Sequence, residues 1–143
     1  MRFNKMHYKV VSVIDDKFYS ALTYGIVQED FHVNYKIGEW ALPIIKNSKL
    51  FVFSDLDKAE RYCRMQFTTR EVVDGGIQIF SCEVLNPTTE GKMCGVAGGW
   101  AIHKFWEKGG TIYDCPLLLD TVLCDAIQLI ERVQYDYAIL LSC

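Results

Sequence analysis

The chain has 143 residues, a length that fits one domain and is enough to bury a core without disulfides or a metal ion. Half of the residues are hydrophobic and 23% are charged, a composition that excludes intrinsic disorder. The formal net charge is −3, whereas surfaces that bind nucleic-acid phosphates carry an excess of Lys and Arg. The sequence therefore predicts a single folded domain, residues 1–143, that does not bind nucleic acid.

The cysteines and the apolar stretches indicate the expected compartment. The first residues lack the apolar run of a signal peptide, and no apolar stretch approaches 18 residues. The six cysteines are irregularly spaced without a C-x-x-C pair, so neither a zinc site nor a disulfide framework is expected. We predict a soluble cytoplasmic protein with no membrane contact, no metal and no cofactor. Cys82 and Cys124 lie inside apolar runs and are predicted to be core residues.

The first third of the chain reads as short strands. Residues 8–14 are rich in β-branched side chains, and a turn over 15–17 connects them to a second predicted strand at 18–24. Residues 32–36 alternate in polarity like a half-buried strand, and Gly38 is predicted to form a turn after it. The wholly apolar run at 49–53 is typical of a buried strand.

The clearest helix signal follows. Ser54 and Asp57 have the spacing of a capping box, and the sequence predicts a helix over 55–66. Residues 77–85 form a clear strand after Gly75-Gly76, and a turn is predicted at 86–91. The apolar stripe of the helix consists of Leu56, Ala59, Tyr62, Cys63 and Phe67.

The C-terminal part admits two interpretations. Apolar residues from Leu119 to Val133 follow a helical period, but the same stretch also fits a strand at 121–130 with Asp125 pointing outward. A two-turn helix at 100–108 and a last strand at 135–141 are also predicted. Together the elements predict an α+β fold, with a mostly antiparallel sheet of about six strands and one main helix packed on it.

Aromatic and basic residues form the most distinctive candidate site. Tyr35, Lys36 and Trp40 surround the Gly38 turn, while Arg61 and Arg64 lie on the polar face of the predicted helix. Aromatic stacking combined with charge-assisted hydrogen bonds is how small nucleotides are commonly held. The alternative is that Tyr35 and Trp40 belong to the core and that the arginines pair with acidic neighbours on a solvated face. No catalytic residue is assigned.

Six blocks together carry a family resemblance. They are Tyr8-Lys-Val-Val11, Phe18-Tyr-Ser-Ala21, Tyr35-Lys-Ile-Gly-Glu-Trp40, residues 49–59, Ile79-Phe-Ser-Cys-Glu-Val84 and residues 121–133. With these blocks the chain resembles a group of small phage-type proteins, which is similar to the viral sponges that counteract the Thoeris defence system by sequestering a cyclic ADP-ribose signal. The resemblance implies homo-oligomers whose ligand pockets are shared between subunits, with Phe80 as a stacking face and Thr121 as a phosphate contact.

Three functions remain open at this point. The first is non-catalytic sequestration of a small, anionic, nucleotide-like signalling molecule, as in phage counter-defence within the host cytoplasm. The second is a protein-interaction or structural module with no small ligand. The third is a small NAD-related enzyme, since the order of elements also resembles the small rifampicin-modifying ADP-ribosyltransferases.

Overall fold

The structure of the chain is a computed structural model. It describes residues 6–20, 33–43, 49–66, 75–89, 92–94, 114–116 and 121–133. The segments predicted at 100–108 and 135–141 lie outside them, as do residues 21–24 of the second predicted strand.

Eight of the strands in the described part of the chain form one antiparallel sheet, which carries the single described helix. The α+β class, the antiparallel sheet and the main helix are therefore confirmed. In chain order the elements are β1 (His7–Ile14), β2 (Lys17–Ser20), β3 (Asn34–Tyr35), β4 (Trp40–Ala41), β5 (Leu50–Phe53), α1 (Leu56–Gln66), β6 (Ile77–Leu85), β7 (Lys92–Cys94), β8 (Asp114–Pro116), β9 (Thr121–Cys124) and β10 (Ala126–Val133).

The predicted number of about six strands was too low. The sheet has eight strands within the described residues, and β7 and β8 form a separate two-stranded ribbon. β3 lies within the strand predicted at 32–36, and residues 121–133 form two strands, β9 and β10, where the strand interpretation had one. The other extra strand, β4, contains only two residues. An alternating pattern needs about four residues to be recognised, so strands of this length leave no periodic signal.

Residues 121–133 form strands, so the strand interpretation was right and the helical period was misleading. All four residues of β9 are buried, which removes the alternation that marks a half-exposed strand. β10 then has a bulge between Leu129 and Glu131, which shifts the inward-facing positions by one residue. Because the bulge interrupts the alternation of buried and exposed residues, the apolar positions of this segment resemble a helical stripe over a short stretch of sequence.

Asp125 forms the corner between β9 and β10. Its carboxylate accepts hydrogen bonds from Lys49 Nζ and from Asn86 Nδ2, the latter at 2.9 Å, and its backbone N–H donates to the carbonyl of Leu85. The hydrogen bonds from Lys49 and Asn86 hold the pKa of the Asp125 carboxyl below its ordinary value. These contacts tie the corner to the start of β5 and the end of β6.

The sheet curls around one core. The strands follow the order β3-β2-β1-β6-β10-β4, and its two end strands, β3 and β4, are joined by the four-residue turn 36–39. β5 pairs with β1 and with β9 on another branch of the same sheet. All eight strands contribute side chains to the inner cluster, which consists of Val11, Tyr35, Ala41, Leu50, Val52, Phe80, Cys82, Val122, Cys124, Ile127 and Leu129 with Phe18, Val33 and Val84 packed against it.

Helix α1 covers part of the outer face. Leu56, Ala59, Tyr62 and Cys63 of its predicted stripe pack on β1, β5 and β6 in a second, helix-side cluster. The cap differs from the prediction by one residue, because Asp55 Oδ1 accepts the hydrogen bond from the Lys58 N–H at 2.9 Å.

Candidate functional site

Three of the predicted ligand residues are buried. Tyr35 is 1% exposed and Phe80 is 2% exposed, and both belong to the inner cluster. The ring of Phe80 meets that of Phe18 edge-on, with 5.0 Å between the ring centroids. Thr121 is buried at the start of β9. In this conformation neither aromatic ring offers a free face to a ligand in solvent.

The other four predicted residues are exposed, but on two separate parts of the surface. Lys36 is the first residue of the turn 36–39, and Trp40 follows the turn at the start of β4. Arg61 and Arg64 lie on the solvent side of α1, which packs on β1, β5 and β6. β10 separates β4 from β6 in the sheet, so the arginines lie on a different part of the surface from Lys36 and Trp40.

Trp40 belongs to an exposed apolar surface on the outside of the sheet. Ala41 points into the inner cluster, so Trp40 and Leu42 point outward, and they are 44% and 64% exposed. Trp40 lies opposite Gln128, which places Leu42 beside Ala126, and Ala126 in turn lies opposite Leu85. We call this surface the Trp40 face and define it as Trp40, Leu42 and Leu85, all of them exposed.

Backbone hydrogen bonds hold the turn that presents this surface. The Gly38 N–H donates to the carbonyl of Leu129 at 2.8 Å, and Gln128 Nε2 donates to the carbonyl of Gly38 at the same distance. Gly38 has a φ of +80°, a conformation that residues with a Cβ rarely adopt, as the predicted turn requires. The backbone just before Trp40 is therefore hydrogen-bonded to β10.

The most unusual residue of the core is Lys9, which the sequence analysis did not single out. It lies on β1 and is 3% exposed. Its Nζ donates a hydrogen bond to the carbonyl of Phe51 at 2.8 Å and lies 5.4 Å from the centroid of the Tyr35 ring. Within the described ranges no carboxylate forms an ion pair with it. Strand alternation could have found it, because Lys9 is two residues from the buried Val11 and so shares its face.

Burial shifts the pKa of Lys9 and the pKa values of two neighbouring thiols, those of Cys82 and Cys124. Desolvation lowers the pKa of Lys9 from 10.5 to about 8. Burial raises the pKa of the Cys82 thiol to about 12 and that of the Cys124 thiol to about 11. Both thiols are fully buried, which confirms their predicted core position. Below pH 8 a buried ammonium therefore faces two neutral thiols, which are poor nucleophiles in that state.

No group of three or more His, Cys, Asp and Glu side chains among the described residues could hold a metal ion. The helix of the described part of the chain is too short and too polar to cross a membrane. Comparison with protein-family models, with curated proteins and with solved structures gives no match. The phage-type resemblance therefore stays a prediction.

Proposed function

We propose that the protein is a non-catalytic binding protein that docks a protein partner on the Trp40 face. The observation that carries the proposal is the exposure of a tryptophan and two leucines on one surface. Tryptophan is among the residues most enriched at the energetic centres of protein interfaces. Contiguous exposed apolar surface of this kind is typical of interaction sites.

The surroundings of the Trp40 face also fit an interface. Its backbone belongs to the sheet and to a hydrogen-bonded turn, so little conformational entropy would be lost on docking. Polar side chains adjoin the apolar ones: Lys36 and Glu39 on the turn, and Glu83 opposite Gln128 on the neighbouring strands. An apolar centre with a polar rim is the usual anatomy of an interface.

A photo-crosslinking residue at Leu42 tests this proposal. We expect it to capture one protein that the same residue at Arg61, on the far side of the helix, does not capture. With that partner purified, Trp40→Ala should weaken binding by about 30-fold, the effect of losing about 2 kcal/mol at an interface hot spot. Arg61→Ala is the matched control and should leave the affinity unchanged. Equal capture at both positions, or full affinity in Trp40→Ala, would contradict the proposal.

A second copy of the chain is one such partner, since the family resemblance implies homo-oligomers. Sedimentation of the wild-type protein and of Trp40→Ala separates this case from a different partner. If the copies associate through the Trp40 face, the variant sediments as a smaller species.

A second candidate function is the sequestration of a small nucleotide-like anion, as in viral counter-defence. The observation that favours it is that Lys36, at the start of the turn 36–39, and Trp40, directly after it, are both exposed. The indole offers a stacking surface for a base, and the ammonium offers a charge for a phosphate.

Thermal melting against cyclic ADP-ribose, its isomers, ADP-ribose and NAD tests this second candidate. A ligand at a hundred times its Kd adds about 2.7 kcal/mol, which should raise the midpoint by roughly 5–12 °C for a chain of this size. The compound should be recovered unmodified, and Lys36→Ala with Trp40→Ala should abolish the shift. Turnover of NAD would instead favour the ADP-ribosyltransferase-like enzyme, and the absence of any shift would reject sequestration of these compounds.

A further inference from the structure

The contact between Lys9 and Tyr35 links the core to the turn 36–39, which precedes Trp40 in the chain. Tyr35 is the last residue of β3, and only four residues separate it from Trp40 at the start of β4. β3 is held to β2 by two residue pairs, Phe18 with Tyr35 and Tyr19 with Asn34. So short a strand has few backbone contacts, and the buried Tyr35 side chain anchors it in the inner cluster together with Val33.

Lys9 contacts groups from four other strands. The titratable groups that interact with it are the thiols of Cys82 on β6 and Cys124 on β9. The ring of Tyr35 comes from β3, and the carbonyl of Phe51 from β5. On its own strand, the buried His7 lies two residues away. Among the described residues no carboxylate balances the ammonium.

We propose that the proton on Lys9 controls how tightly β3 and the turn 36–39 pack on the core, so that the Trp40 face responds to pH. When Lys9 is charged, its ammonium is attracted to the face of the Tyr35 ring, an attraction that is strong where water is excluded. When Lys9 is neutral, the amine keeps its hydrogen bond to Phe51 but loses this attraction. Loss of the proton therefore weakens the anchor of β3. Because the pKa of Lys9 is about 8, the change falls in a mildly alkaline range.

The proposed pH response acts on the Trp40 face. It rests on the proposed docking function only for its consequence for binding. The test uses the free full-length protein and needs no partner. If Lys9 and Trp40 do not respond to pH together, the docking proposal is unaffected. If crosslinking at Leu42 captures no partner, the pH coupling between Lys9 and Trp40 is unaffected.

The experiment is an NMR titration from pH 6.5 to 10. It follows the side-chain methylene signal of Lys9, the indole N–H of Trp40 and the backbone amides of residues 35–41, with the indole assigned through Trp40→Phe. We expect the Lys9 signal and the Trp40 signals to change together with one midpoint near pH 8. In Lys9→Met the Trp40 transition should disappear. Separate midpoints, or a transition that persists in Lys9→Met because it belongs to His7 or the N-terminal amine, would overturn the proposal.

Tyr35→Leu gives an independent test, because leucine keeps an apolar side chain in the core but removes the ring. Lys9 should still titrate in this variant, with a midpoint shifted to lower pH, since the charged form has lost a favourable contact. The Trp40 signals should no longer follow it. If the Trp40 signals continue to follow Lys9 without the ring, Tyr35 does not transmit the change and the proposal is wrong. Lys9→Gln replaces Lys9→Met if the methionine variant does not fold.

Discussion

Replacing Lys9 by methionine should raise the free energy of unfolding at pH 7 by about 2 kcal/mol. Burial lowers the pKa of Lys9 from 10.5 to about 8, and that difference corresponds to a penalty of about 3 kcal/mol for folding with a charged lysine. Methionine removes the charge but leaves the carbonyl of Phe51 without its donor, which costs about 1 kcal/mol. The midpoint of thermal unfolding should rise by roughly 6 °C for a domain of this size.

The same residue gives the wild-type protein a pH dependence of known sign. Between pH 8 and pH 10.5 the unfolded chain binds the Lys9 proton more tightly than the folded chain does, so the stability contributed by Lys9 rises with pH in that window. The thiols of Cys82 and Cys124 act in the opposite direction above pH 9, because their pKa values are raised on folding. The difference between the wild type and Lys9→Met therefore isolates the lysine, and it should shrink as pH rises from 8 to 10.5.

Urea unfolding at pH 7, 8, 9 and 10 measures this effect. Lys17→Met is a matched control, because Lys17 begins the neighbouring strand and is exposed. An exposed lysine is solvated in both states, so this change should alter stability by less than about 0.5 kcal/mol. A Lys9→Met variant that is less stable than the wild type at pH 7 would show that the ammonium is compensated in the folded protein.

Phe80→Ala should lower the free energy of unfolding by about 3–5 kcal/mol, because it removes a large side chain from the inner cluster and leaves a cavity. The ring is 2% exposed and makes an edge contact with Phe18. The family resemblance implies instead that Phe80 is a stacking face for a ligand. In that case truncation would reduce binding and leave stability nearly unchanged.

Chemical denaturation distinguishes these two roles. Phe80→Leu keeps most of the buried volume and should lose clearly less stability than Phe80→Ala, which makes it the variant of choice if the alanine form does not fold. Trp40→Ala is the control at an exposed aromatic position, and we expect it to change stability by less than about 1 kcal/mol. If Phe80→Ala lowers the free energy of unfolding by less than about 1 kcal/mol, the ligand-contacting role of Phe80 is favoured.

Lys9 and the Trp40 face lie on opposite faces of the sheet. Trp40 is exposed on the outer surface, whereas Lys9 lies inside with the inner cluster. A buried charge without a counter-ion is destabilising, and burial of this kind is often associated with function. The pH response proposed for the turn would give a physical reason for keeping a lysine at this position.

Much of the local structure could be predicted from the sequence. The strand predicted at 77–85 has those bounds in the structure, and the helix predicted at 55–66 begins one residue later, at Leu56. The apolar stripe of the helix does face the sheet. These elements are long enough for side-chain periodicity to show which face is buried, and that periodicity is a property of the local sequence.

The partners of each strand were decided only by the tertiary structure. β4 is a strand because β10 lies beside it, and no periodicity marks two residues as a strand. The bulge in β10 exists only against β6. Pairing between segments distant in sequence thus determined the strand count and resolved the ambiguity over residues 121–133.

The same long-range pairing decided which candidate residues share a surface. Tyr35, Lys36 and Trp40 are neighbours in sequence, but the curled sheet turns Tyr35 inward and leaves the other two exposed. Lys9 was missed because a lysine in a strand is ordinarily expected to reach solvent. Composition and periodicity determined that this chain folds as an α+β domain. The pairing of the strands determined which side chains remain available for binding, because burial depends on strands that are far apart in the sequence.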